Sequence, residues 1–162
     1  MAGEGLNEVD VLKIAIGAEE EGHRFYTEAA GQYDDPQIKE MFLHLAEEEM
    51  DHIKTFQDIY KRVTKEEEYS FYEEPISAYL RAISETAIFN TNGLTNYRVR
   101  NVSSVKEALL IGIQAEKDAI LFYEAVLNHT KHERTRKVLD RLIKEEIKHL
   151  HKMKTLVKAQ GQ

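Results

Sequence analysis

The chain has 162 residues, a formal net charge of -7 at pH 7 and no cysteine. The lack of cysteine excludes disulfides, thiolate zinc sites and iron–sulfur clusters, and the acidic balance disfavours nucleic acid because a phosphate backbone binds basic surfaces. No run approaches the roughly 20 apolar residues of a membrane span, and the amino terminus lacks the basic and apolar regions of a signal peptide. We therefore expect one cytoplasmic domain that binds neither nucleic acid nor membranes.

Two long helices are predicted in the first part of the chain. The first begins at Asn7, a good N-cap, and runs to about Tyr33. Asp35 can cap the second helix, with Pro36 at its first position, and this helix runs to about Lys65. Both carry a stripe repeating every three or four residues, which predicts a packed face: Val9, Leu12, Ile16, Glu19, His23, Tyr26, Ala30 and Tyr33, then Ile38, Phe42, Leu45, Glu49, His52, Phe56, Ile59 and Val63.

The pattern is interrupted between residues 66 and 103. Pro75 is expected to open a short helix that ends at Phe89, followed by a loop at 90–93 and an irregular piece to Val102. A connection this long costs ordering entropy and usually has a purpose. We interpret it as a crossover that lets the second and third long helices run parallel.

Two further long helices follow this crossover. The sequence Ser104-Val105-Lys106-Glu107 is a capping box that starts the third helix, and a short polar turn at 128–132 separates it from the fourth. Their stripes are Leu109, Ile113, Glu116, Ile120, Tyr123 and Leu127 in the third helix, and Thr135, Leu139, Leu142, Glu146, His149, Met153 and Leu156 in the fourth.

The segment Leu45–His52 returns ninety-seven residues later as Leu142–His149, and residues 12–52 align with 109–149 without a gap. The matching pairs at this offset include Glu19/Glu116, Phe25/Phe122, Tyr26/Tyr123, Glu48/Glu145, Glu49/Glu146 and His52/His149. We therefore predict a duplicated helix hairpin that builds one all-α domain over residues 1–162, a four-helix bundle with pseudo-two-fold symmetry. Its hairpins are 8–65 and 104–159, and 66–103 is the insert between them.

Each repeat contains Glu-x-x-His, whose two side chains lie about 60° apart on one helix face and can bind one ion. Four carboxylates on buried stripes cannot remain charged and unpaired, whereas two divalent ions would balance them. Oxygen and nitrogen ligands without sulfur suit iron or manganese, and zinc less specifically. The predicted metal ligands are Glu19, Glu49, His52, Glu116, Glu146 and His149, with Glu49 and Glu146 as the expected bridges.

Several residues near these ligands allow more than one interpretation. Tyr26 and Tyr123 lie two turns beyond a ligand glutamate, and they either hydrogen-bond a ligating carboxylate, donate electrons or simply pack. His23 is an extra ligand, a hydrogen-bond donor to one, or a satisfied core histidine. Glu48 and Glu145 lie off the stripes and face solvent or hydrogen-bond the ligands. Four other histidines are predicted to face water: His44, His129, His132 and His151.

These motifs resemble the rubrerythrin branch of the ferritin-like di-iron carboxylate superfamily over nearly the whole chain outside 66–103. The residues that carry the resemblance are Ala18-Glu19 with Phe25-Tyr26, Glu49-x-x-His52, Ala115-Glu116 with Phe122-Tyr123, and Glu146-x-x-His149. The resemblance implies a ferritin-like bundle and a non-haem di-iron centre that reduces hydrogen peroxide or dioxygen in oxidative-stress protection. It also implies the same six metal ligands. Tyr26 and Tyr123, from their spacing to Glu19 and Glu116, are candidate catalytic residues that act beside these ligands.

The chain departs from that family pattern in two ways. It has no cysteine for a rubredoxin iron domain, so an external electron donor is expected. Ala119 stands where the resemblance predicts a further carboxylate, one turn after Glu116. The alternatives are iron binding or storage, a bundle without redox turnover, and oxidation of an organic substrate in a pocket built by the insert. We expect a homodimer formed through the insert or an outer bundle face.

Overall fold

A computed structural model of the protein describes residues 5–66, 70–90, 99 and 101–161. The helices with both ends in these ranges are α1 (Glu8–Gln32), α2 (Pro36–Glu66), α3 (Glu74–Thr86), α4 (Val105–His129) and α5 (Glu133–Gln160). None of the helices in the described ranges is long and apolar enough to cross a membrane.

The predicted starts of α1 and α2 are confirmed by their capping hydrogen bonds. Asn7 Oδ1 accepts from the backbone nitrogen of Asp10 at 2.8 Å, and Asp10 Oδ2 accepts from that of Asn7 at 3.0 Å. Asp35 Oδ1 accepts from the backbone nitrogens of Gln37 at 2.9 Å and Ile38 at 3.2 Å. These side chains satisfy amide groups that lack an intrahelical partner, so they define where each helix begins.

The start of α4 is also confirmed, because Ser104 Oγ accepts from the backbone nitrogen of Glu107 at 3.1 Å.

The predicted end of α3 at Phe89 is wrong. The short helix ends at Thr86, because the chain becomes extended at the next residue and the Ile88 amide donates to Asp118 on α4 at 2.9 Å. The segment after α3 is thereby attached to the bundle instead of continuing the helix.

The long helices form two hairpins that pack into one four-helix bundle. Helix α1 packs along α2, and α4 packs along α5. The hairpins meet where α1 contacts α4 and where α2 contacts α5, and α3 lies against α4. The predicted all-α bundle with a short extra helix in the crossover is therefore confirmed.

Two apolar clusters fill the bundle, one on each side of a polar layer. One cluster contains Leu12 of α1 and Phe56 of α2, and the other contains Phe42 of α2 and Met153 of α5. Along each long helix, the predicted ligands fall between the residues that enter one cluster and those that enter the other. The apolar packing on both sides therefore holds the helices in register at the level of the ligands.

The predicted stripes describe α2 well and α1 only in part. All eight stripe positions of α2 are buried. In α1, Val9, Ile16 and His23 are only partly buried, whereas Val11 and Phe25 are buried although the stripe omitted them. Because α1 contacts α4 as well as α2, it buries a broader face than one stripe can describe.

The segment before α1 pairs with the segment before α3, a contact that the sequence did not predict. The Leu6 amide donates to Ser77 Oγ at 2.9 Å, and the Tyr72 amide donates to the Leu6 carbonyl at 2.9 Å. These bonds attach the first part of the insert to the amino-terminal end of the bundle. The predicted loop and irregular piece between Asn90 and Val102 lie largely outside the described residues.

Candidate metal centre

The bundle brings all six predicted ligands together at one level, and each is buried, with at most 5% of its surface exposed. They form two groups in which the potential ligand atoms lie within 4.8 Å of one another. One group is Glu19, Glu49, His52 and Glu146, and the other is Glu49, Glu116, Glu146 and His149. Glu49 and Glu146 belong to both groups, which is the position required of bridging carboxylates.

Five atoms of these side chains are buried and have no partner in hydrogen-bond geometry among the described residues, although each lies within 3.5 Å of another candidate ligand atom. They are Glu19 Oε2, both carboxylate oxygens of Glu146, and the Nδ1 atoms of His52 and His149. His52 Nδ1 lies 2.9 Å from Glu146 Oε1 and 3.5 Å from Glu19 Oε2. Buried polar atoms without partners are costly, and metal coordination would satisfy them. The donor set of carboxylate oxygens and imidazole nitrogens fits iron or manganese.

The outer nitrogen of each histidine is held by a glutamate from the opposite hairpin. His52 Nε2 lies 2.8 Å from Glu145 Oε2, and His149 Nε2 contacts Glu48 Oε2. A carboxylate at Nε2 orients the ring and directs Nδ1 inward, as in many metal sites. Of the two interpretations, hydrogen bonding to a candidate ligand is therefore confirmed for Glu145, and Glu48 makes the corresponding contact with His149.

Tyr26 and Tyr123 make a matching pair of bonds between the hairpins. Tyr26 Oη donates to Glu116 Oε1 at 2.9 Å, and Tyr123 Oη donates to Glu19 Oε1. Burial raises the pKa of both hydroxyls well above the usual value of 10.0, and the nearby glutamates raise it further. Both tyrosines therefore stay protonated, and each fixes the orientation of a candidate ligand. This agrees with the interpretation that they hydrogen-bond the carboxylates of the site.

Protons neutralise part of the site when no cation is bound. Burial lowers the pKa of His52, but the adjacent Glu146 and Glu19 outweigh it and raise that pKa to about 11. Burial, together with the charges of Glu19 and Glu146, raises the pKa of Glu49 well above 4.5. Burial also opposes ionisation of Glu19, but the adjacent Glu49 and His52 lower its pKa overall. Metal ions must therefore displace protons from His52 and Glu49.

We expect the metal-free protein to lose stability as the pH rises above neutrality. His52 has a pKa of 6.5 when unfolded and about 11 when folded, so its contribution is complete below pH 6.5 and is lost towards pH 11. Glu49 acts in the same direction above pH 4.5, because the folded protein retains its proton longer. The unfolding temperature of chelated protein, followed by circular dichroism, should fall between pH 6.5 and about pH 9. An unfolding temperature that stays constant or rises over this pH range would contradict the raised pKa values of His52 and Glu49. So would a His52→Leu variant whose unfolding temperature falls with pH as steeply as that of the unchanged protein.

His23 and the other histidines lie outside both ligand groups. His23 Nδ1 donates to the carbonyl of Ala46 at 2.8 Å, which confirms the satisfied histidine among its three interpretations. The four histidines expected to face water are all at least partly exposed. Two of them nevertheless form ion pairs, His44 with Glu48 at 2.9 Å and His132 with the buried Glu8 at 2.7 Å.

Comparisons with known proteins agree with this geometry. The model of the family described as Rubrerythrin matches residues 10–157. The crystal structure of a Thermotoga maritima protein assigned to the ferritin-like diiron-carboxylate proteins is similar to the chain. The two align with a TM-score of 0.73 and 26% sequence identity, over 96% of this chain and 97% of that one. A search of curated proteins found no significant match. The ferritin-like fold predicted from the sequence is thus confirmed.

Proposed function

Because the chain belongs to the rubrerythrin family, we propose that it binds two iron ions and reduces hydrogen peroxide or dioxygen, protecting the cell from oxidative stress. The observation that carries the proposal is the clustering of the candidate ligands in two groups that share Glu49 and Glu146, with five buried ligand atoms that have no partner in hydrogen-bond geometry among the described residues. The six predicted ligands would hold the ions, with Glu49 and Glu146 between them. Bound ferrous ions supply the electrons and the positive charge that such a reduction needs.

The chain contributes a preorganised and accessible site. Tyr26 and Tyr123 hold the carboxylates of Glu116 and Glu19, so these groups need little reorganisation when charge develops nearby. The carboxylate side of the site opens into a cavity of about 390 Å³ between α1 and α4. A small oxidant can approach through this cavity, while apolar clusters exclude water on both sides of the ligand layer. The 162 residues contain no cysteine for a rubredoxin-type iron site, so an external donor supplies the electrons that restore the ferrous state in this proposal.

Anaerobic protein loaded with Fe(II) and mixed with hydrogen peroxide in a stopped-flow instrument tests the proposal. We expect ferric absorbance to appear much faster than for Fe(II) in buffer, with about one peroxide consumed for every two ferrous ions. A second arm replaces peroxide with air-saturated buffer. Glu47→Ala, which changes an exposed glutamate of α2, serves as the control. Oxidation no faster than in buffer, at full metal content, would refute redox turnover, and oxidation far beyond two ions per chain would indicate iron storage instead.

A further inference from the structure

The cavity beside the candidate metal centre is much larger than its proposed oxidants require. Its volume of about 390 Å³ is about thirteen times the 30 Å³ share of a water molecule in the liquid. Pockets that bind small organic molecules start at about 300 Å³. The cavity therefore has room for an organic ligand next to the carboxylates.

Small side chains on the facing helices create this space. Ala15 and Ala18 line it from α1, and Ala115 and Ala119 line it from α4. A carboxylate in place of Ala119 would project into the volume. The cavity lies on the α1 and α4 side of the site, whereas His52 lines a different cavity with Glu48 and Glu145.

The insert supplies the remaining wall and holds it in place. Ile83 of α3 and Phe89 line the cavity. The Phe89 ring lies 5.2 Å from that of Phe25 and 6.1 Å from that of Tyr26, centroid to centroid. Asp118 of α4 accepts from the backbone nitrogen of Ile88, which fixes the adjoining backbone. This part of the wall is therefore apolar, partly aromatic and fixed to the bundle, as expected of a preformed ligand site. The insert also contributes polar side chains to the lining: Arg81, Ser84, Glu85 and Asn90.

The inner end of the cavity selects for ligands that donate hydrogen bonds. Four carboxylates line it, and the hydroxyl hydrogens of Tyr26 and Tyr123 are already donated to two of them. With two divalent ions bound, the four carboxylates are balanced, so this end offers hydrogen-bond acceptors but no net positive charge that would attract an anion. Two cationic and two anionic side chains elsewhere in the lining add no net charge: Lys13, Arg81, Glu85 and Asp118. A neutral molecule with a hydroxyl group on an apolar body fits these conditions.

We propose that this cavity binds a small, neutral, mainly apolar hydroquinone as the electron donor of the site. The inference rests on the proposed peroxide reduction and names the external reductant. The reaction balances: both O–H bonds of a hydroquinone break, two electrons and two protons pass to hydrogen peroxide, the O–O bond breaks, and a quinone and two water molecules form.

Binding is tested on zinc-loaded protein, which cannot oxidise the probe, by calorimetric titration with tert-butylhydroquinone under argon. We expect saturable binding that Ala119→Phe weakens at least tenfold by filling the cavity. Ala82→Phe, which adds the same ring to an exposed position of α3, should leave binding unchanged. Ala18→Leu provides a second, milder filling of the same space in case the first variant fails to fold. Ascorbate, a polar anionic two-electron reductant, should not bind.

The absence of tert-butylhydroquinone binding, or binding that neither filling variant weakens, would overturn the inference. Tighter binding of ascorbate than of the hydroquinone would also overturn it, since it would show that the cavity prefers anions. Peroxide oxidation of the ferrous protein without any organic donor is measured separately. Its success without hydroquinone binding refutes the inference and leaves the proposed function standing. Its failure with intact hydroquinone binding refutes the proposed function, and with it the role of the bound hydroquinone as electron donor, but not the binding site.

Discussion

Replacing Glu49 or Glu146 by alanine is expected to lower the metal content of the purified protein from two ions per chain to one or none. Each of these glutamates belongs to both ligand groups, so its loss removes a bridge and leaves each ion short of one ligand. Glu19→Ala affects one group only and should retain the other ion. Elemental analysis of protein produced in iron-supplied medium gives these numbers directly.

The matched control for this series is Glu47→Ala, which removes an exposed glutamate of the same helix as Glu49. It should keep two ions per chain. Full occupancy in both Glu49→Ala and Glu146→Ala would refute the ligand assignment. An equal loss of metal in Glu47→Ala would show that the overall negative charge of the protein, and not the two ligand groups, determines its metal content.

Removal of the metal ions is expected to lower the unfolding temperature by about 10 °C or more at neutral pH. An ion present at 1,000 times its dissociation constant stabilises the folded state by about 4 kcal/mol. For a chain of this size, each kcal/mol corresponds to about 2 to 4 °C. The effect is large because chelation leaves the buried carboxylates to be neutralised by protons alone.

Calorimetry of the same sample before and after chelation, followed by reloading, checks this second expectation. Reloading should restore the original unfolding temperature. In Glu49→Ala, the rise in unfolding temperature produced by the metal should be at most half as large. Identical unfolding temperatures with and without metal would mean that the cations bind outside the core or not at all.

The parts of the site that the sequence predicted are those set by helix periodicity and by the repeat. The α2 stripe placed Glu49 and His52 in the core, and both are buried there between apolar residues. The fixed offset then identified Glu146 and His149 as their counterparts on α5. Such predictions succeed because a helix has one period and a duplicated hairpin preserves it.

Contacts between the hairpins could not be predicted in the same way. Glu145 pairs with His52 and Tyr26 with Glu116, but periodicity gives the face of a residue and not its partner across the bundle. The repetition of Glu48 and Glu145 at the common offset was the available signal. A pocket built by the insert was among the alternatives, but its wall residues Ile83 and Phe89 could not be named, because they depend on how the insert packs on α4.

The most direct test of the central claim is anomalous scattering from crystals of the iron-loaded protein, recorded on both sides of the iron absorption edge. We expect two iron peaks about 3.5 to 4 Å apart in the anomalous difference map. One should lie beside Glu19 and His52 and the other beside Glu116 and His149, with Glu49 and Glu146 contacting both. A single peak within the bundle, or iron found only on its surface, would contradict the two-metal centre.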